Sequence, residues 1–98
     1  MNFVAIDFET AVRHHICAVG IVTVENSKII EEYYTLVQPP NNKYNWHCSQ
    51  VHGISSYDTE NPLPFIEIYP EIKNRLFGKI VVAHNESFDR SVLQKSMF

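Results

Sequence analysis

Glycine is scarce in this sequence. There are three, Gly20, Gly53 and Gly78, and none is near another. A loop that cradles phosphate through its backbone needs clustered glycines, so nucleotide binding of that kind is excluded. Cysteine is as sparse. Cys17 and Cys48 lie far apart, with neither metal-type spacing nor the number a disulfide framework needs, and reduced thiols in a cytoplasm are the expectation. No apolar run is long enough to span a bilayer. The first residues carry no basic stretch followed by an apolar one, so no secretory signal is visible. Positive charge is also in deficit: eight Lys and Arg stand against eleven Asp and Glu, a net charge of -3. Bulk electrostatics does not draw such a chain to nucleic acid. If it handles one, metal ions or further polypeptide must help. Repeats and low-complexity segments are absent.

What is present is an apolar fraction of 45% with 19% charged residues over 98 positions, the balance of one small soluble globular domain covering residues 1–98. Phe3 to Ile6 is continuously apolar and predicts a strand buried on both faces. Cys17 to Val24 predicts a second strand. Ile29 to Val37 alternates, Ile30, Tyr34 and Leu36 against Glu31, Tyr33 and Thr35, and predicts a third. The polar turn between the last two, with Asn26 suited to a left-handed position, makes them a hairpin, and an antiparallel meander of three strands follows. Residues 43–64 read as irregular, with one short helical turn around Ser49 to His52, capped by Ser49. Phe65, Ile68, Ile72 and Leu76 recur at helical spacing. Pro70 is tolerated only in a first turn, which puts the helix start near Ile66 or Ile68, and Gly78 is its stop. Lys79 to Ala83 predicts a fourth strand, parallel to an earlier one because a helical crossover precedes it. A last helix from Asn85 or Glu86, with Phe88 and Val92 inward, runs to Phe98 without a cap or breaker. The class is α/β, a mixed sheet of three antiparallel strands and then a parallel one, in the order βββαβα, ending as though cut.

Two carboxylates interrupt this apolar plan. In the stretch FVAIDFET, Asp7 and Glu9 are two apart and so share one face of a strand, expected at or just past its C-terminal end. Bare neighbouring carboxylates repel, and burying either is costly. A divalent cation removes both costs, and hard oxygen donors suit magnesium or manganese. At the end of the fourth strand, AHNESFD places Asp89 in the first turn of a helix, where the dipole favours an anion by about 0.5 kcal/mol. If the fourth strand lies beside the first and parallel to it, three carboxylates converge. Such a cluster holds two metals about 4 Å apart, which clamp the attacking and leaving oxygens of a phosphodiester. Taken singly, the DxE pair is a common sequence and Asp89 an ordinary helix-start acid. Their placement on neighbouring strand ends is what points to a site.

DFET at Asp7 to Thr10, VHGI at Val51 to Ile54 and AHNESFD at Ala83 to Asp89 resemble, in order, the first two motifs and the intervening segment of the DnaQ-like 3′-5′ exonucleases. This is the family of the proofreading epsilon subunit of DNA polymerase III. The resemblance implies a ribonuclease H-like fold and two divalent cations, Mg2+ or Mn2+, with Asp7, Glu9 and Asp89 as the metal-binding, catalytic acids. It implies that Thr10 and the backbone around Phe8 hold the 3′-terminal nucleotide. His52 packs near the terminal base, and Asn85 and Phe88 line the strand's path, Phe88 more securely as a core residue. The implied partner is a single-stranded or frayed 3′ end of DNA, with a polymerase subunit or a fused C-terminal region beyond and no membrane.

One part of the pattern is not met. The family completes its site with a third motif, a histidine or tyrosine general base and a fourth aspartate, before which another strand and helices intervene. None of the five histidines here lies downstream of Asp89. His14 and His15, in the loop expected after the first strand, are more ordinary as solvated residues. The 98 residues thus read as the N-terminal part of an exonuclease domain, inactive alone. Ile80 to Ala83 is expected to be an exposed edge prone to self-association. Competing readings are an oligoribonuclease-type enzyme on short RNA, since carboxylates do not read the sugar, and a non-catalytic nucleic-acid-binding or interaction module of the same fold.

Overall fold

The pair Asn26-Ser27 reverses the chain with both residues at positive φ, 53° and 64°. Two left-handed central residues match the twist of the strands they join. They connect β2 (His15–Glu25) to β3 (Lys28–Leu36), which pair antiparallel from Glu25 opposite Lys28 to Ala18 opposite Leu36. On the other side of β2 lies β1 (Phe3–Val12), also antiparallel, with Ile6 opposite Ile21 and Asp7 opposite Gly20. A short β4 (Val81–Ala83) runs parallel to β1, Ala83 beside Ile6. The sheet order is β3-β2-β1-β4, the expected three antiparallel strands and one parallel. This computed structural model describes residues 1–12, 15–45, 50 and 52–83. The expected last helix lies outside them.

One sheet face carries the core. Val4, Ile6 and Phe8 of β1 and Val19 and Ile21 of β2 are buried there, with Tyr33 and Ala83 packed alongside. The helix α1 (Phe65–Leu76) lays Ile68 and Ile72 on that face. Burial of Ile72, fully enclosed, contributes about 2 kcal/mol. Arg75 fastens the helix to β3: it pairs with Glu31 at 3.0 Å and sits 3.9 Å over the Tyr33 ring.

Four expectations are corrected. β1 does not end at Ile6 but continues to Val12, because its ladder with β2 tolerates polar side chains on the face away from the core; irregular register appears only between Glu9 and Thr10 and between Thr10 and Val12. For the same reason it is not buried on both faces: Ala5 is half-buried and Asp7 exposed. The helix starts at Phe65, so Pro70 falls in its second turn. The carbonyl that a Pro70 N–H would have served belongs to Ile66, which is 79% exposed and can meet water instead. His15 is not in a loop, since it opens β2 opposite Val12; His14 lies outside the described residues. The strand edges also differ by a residue or two, and Gly78, at φ 71°, follows the helix end as expected.

Beyond β3, the described residues up to Pro64 carry a 3-10 turn at Pro40–Asn42 and are tied down by hydrogen bonds. Gln38 donates from its side chain to the carbonyls of Thr59 and Glu60. The Tyr44 hydroxyl meets Thr59 Oγ1 at 2.7 Å, Thr59 donates to Asn42 Oδ1 at 2.7 Å, and Asn42 Nδ2 donates to the Ser56 carbonyl at 2.8 Å. Asn45 N–H donates to the Ala11 carbonyl at the end of β1. Gln50 and His52 have helical backbone, in keeping with a short turn there, while Ser49 and Val51 lie outside the described residues.

Candidate active site

Directly opposed residues in a sheet share a face. The face away from α1 therefore carries two rows, Asp7–Gly20–Tyr34 and Glu9–Ala18–Leu36. Beside each carboxylate β2 offers a small residue, Gly20 next to Asp7 and Ala18 next to Glu9. Asp7 is exposed and Glu9 half-buried. Among the described residues neither carboxylate has a hydrogen-bond or ion-pair partner. The two acids, Ala18, Gly20, Tyr34 and His52 line a cleft of about 270 Å³.

His52 reaches this cleft on a fixed ring. Its Nδ1 accepts from the Ile54 N–H at 2.9 Å, which leaves the proton on Nε2. Nε2 donates to the Thr10 carbonyl at 2.9 Å and lies 3.8 Å from Cys17 Sγ. Phe8 points its ring into the core, 3% exposed, so only its backbone can face a ligand on the acid side. Thr10 is 8% exposed and contributes its carbonyl to His52.

The parallel β4 pairs Ala83 with Ile6, so the chain leaves β4 next to Asp7. Asp89 follows Ala83 by six positions. Asn85, Phe88 and Asp89 themselves lie outside the described residues. Among the described residues no group of three or more His, Cys, Asp or Glu side chains could hold a metal ion; Asp7 and Glu9 make a pair. Two adjacent oxygen donors without partners are the chemistry of half a magnesium or manganese site. Tyr34 was read in the sequence only as an alternating strand residue. The signal for its place at the site was the hairpin register, which sets it opposite Gly20.

A family model for exonucleases, RNase_T, matches residues 4–98. The chain belongs to this exonuclease family. Its DnaQ-like resemblance extends to individual relatives: it is 33% identical over 97 residues to the PolC-type DNA polymerase III of Thermotoga petrophila, covering 95% of this chain and 7% of the polymerase. It is 34% identical over 93 residues to the 3′-5′ exonuclease DinG of Bacillus subtilis, covering 90% of this chain and 10% of DinG. The chain thus spans a tenth or less of these relatives. Among solved structures, exonuclease X in complex with 5′ overhanging duplex DNA matches with a TM-score of 0.79 and 27% identity, over 92% of this chain and 52% of that one. The cell-death related nuclease CRN-4 shares the fold, with a TM-score of 0.67 at 22% identity over 84% of this chain and 34% of that one. The sheet is that of the ribonuclease H-like exonucleases. No helix among the described residues is long and apolar enough to cross a membrane.

Proposed function

We propose that this chain is the N-terminal part of a 3′-5′ exonuclease domain that hydrolyses phosphodiester bonds at the 3′ end of DNA. Its setting is proofreading, as in the polymerase III epsilon subunit, with a polymerase as fused or separate partner. The observation that carries the reading is the pair Asp7 and Glu9, two carboxylates on one sheet face with no partner among the described residues, with β4 parallel alongside and Asp89 six positions after its end, in a chain of an exonuclease family.

Asp7, Glu9 and Asp89 would hold two divalent cations, magnesium or manganese. When bound, these supply Lewis-acid polarisation of the phosphoryl oxygens and neutralise charge in the transition state. The chain's own residues do the rest. Thr10 and the backbone at Phe8 seat the last nucleotide, His52 forms a wall against the terminal base, and Asn85 and Phe88 guide the strand. His52 does not serve as general base, because its Nε2 proton is given to Thr10. The similarities to a PolC-type DNA polymerase III and to exonuclease X in complex with duplex DNA support DNA as the substrate over RNA.

The test is release of mononucleotides from 3′-labelled single-stranded DNA by the parent polypeptide with manganese, against a matched RNA. Loss of release in Asp7→Asn, with the fold intact by circular dichroism, is expected. Release unaffected by Asp7→Asn overturns the reading.

A further inference from the structure

Among the described residues Tyr34 has no hydrogen-bond, ion-pair or ring-stacking partner. It neighbours Tyr33, yet the two rings have opposite fates: Tyr33 packs against the core under Arg75, while Tyr34 is 65% exposed on the acid face. Its Cα partner is Gly20, whose other partner is Asp7. A methyl placed on Gly20 would stand 3.8 Å from Tyr34 Cδ2, so the ring leans over the position that glycine leaves bare. Carboxylate and ring therefore face one another across an empty strand position, about 10 Å apart at the backbone. The phenol feels this neighbourhood: partial burial pushes its pKa up, and Cys17 and Glu9 push it further.

The site also has a shortage of attraction. The chain carries net charge -3 and places two acids, without a partner among the described residues, where a phosphodiester must come. Affinity for a polyanion must then come from something besides lysine and arginine. Aromatic stacking supplies it without charge and without sequence preference, and it requires an unpaired base, since a duplex covers both faces of each base.

We propose that Tyr34 is a substrate-contacting residue of this site, its ring stacking on an unpaired nucleobase of the strand presented to Asp7 and Glu9. The inference rests on the nuclease reading above. It assigns Tyr34 to a base near the 3′ end and His52 to another part of the same cleft's wall.

The test is fluorescence anisotropy of single-stranded dT oligomers labelled at the 5′ end, with calcium in place of magnesium. The full chain is compared with Tyr34→Ala and Tyr34→Phe. Tyr34→Ala is expected to weaken binding about ten-fold, and Tyr34→Phe, which keeps the ring, to change it less than two-fold. Oligomers made abasic at one of the last three positions give the decisive contrast: one of them binds the unaltered chain about ten-fold more weakly than the intact oligomer but binds Tyr34→Ala no more weakly. Equal binding by the unaltered chain and Tyr34→Ala overturns the stacking role alone. If the unaltered chain binds no oligomer, the nuclease reading falls and this role falls with it. Tyr34 is exposed, and unchanged melting of Tyr34→Ala confirms that any loss is one of contact.

Discussion

His52 and Thr10 are joined across 42 positions of sequence by a 2.9 Å hydrogen bond from Nε2 to the Thr10 carbonyl. This bond closes the irregular segment onto the end of β1, where the register with β2 breaks between Glu9 and Thr10. The second ring nitrogen is also engaged, by the Ile54 N–H. A ring held at both nitrogens is a shaped wall, not a proton carrier.

His52→Ala therefore leaves two backbone groups without partners and removes the wall. A loss of about 1–3 kcal/mol in urea unfolding is expected. In the parent enzyme KM should rise more than kcat falls. A kcat loss of about 10²-fold or more at unchanged KM would instead mark His52 as an acid–base group.

Metal binding should be visible without any turnover. Asp7 and Glu9 have no partner among the described residues and share one sheet face, so a divalent cation finds two carboxylates to bind there. Manganese at about 100 times its Kd should stabilise the chain by about 2.7 kcal/mol, a rise in Tm of about 10–20 °C for a domain of this size. The rise should vanish with EDTA and in Asp7→Asn. A Tm that manganese does not move would remove the metal from the proposal.

The sequence made the meander, its turn and the α1 core stripe readable, because each rests on local signals: Asn26 at the turn, Ile68 and Ile72 four apart. It misjudged where β1 stops. An apolar run was equated with a strand, but the strand is held by its ladder with β2, and the ladder is indifferent to the change from Ile6 to Asp7. The crossover rule gives β4 its parallel direction, which holds; that β1 is its neighbour stands in the sequence only as a condition, and the structure meets it. Tyr34 as a cleft wall was not legible from alternation alone, since it needs the three-strand register that joins Asp7, Gly20 and Tyr34. The Tyr44–Thr59–Asn42 chain of hydrogen bonds was equally out of reach, because it links loop positions that no periodicity relates.

That chain of bonds gives a pH dependence. Burial pushes the Tyr44 phenol up to about 12, with Cys17 and Asp58 adding to the rise. The folded state thus holds the Tyr44 proton where the unfolded state, with a pKa near 10, releases it. The contribution is fully present below about pH 10 and is lost as pH climbs toward 12. Tyr44→Phe should lower stability by about 1 kcal/mol at pH 7, through the lost bond to Thr59, and should flatten the fall in stability between about pH 10 and 12. Parallel slopes for the two proteins in that window would refute the assignment.

β4 is an edge among the described strands, and Ile80, Val81 and Val82 are 70%, 45% and 49% exposed. Unpaired backbone groups with apolar side chains template association. Sedimentation of the 98 residues should show mass rising with concentration. Val81→Lys, a charge on that edge, should hold the chain monomeric. A monomer for the unaltered chain at the highest concentrations would show the edge to be innocuous.

The last prediction concerns the proton that hydrolysis must remove from its nucleophile. Near neutral pH that proton is best taken by histidine. His52 has committed both nitrogens, His15 lies within β2, and no histidine follows Asp89. The 98 residues supply acids and walls but no free base of that kind downstream of the second motif. A positioned general base contributes about 10²–10⁴-fold. The 98 residues alone should therefore release labelled mononucleotides from single-stranded DNA in manganese about that much more slowly than the parent polypeptide. Comparable rates would place the base within these residues, and His14→Ala and His15→Ala would then identify it.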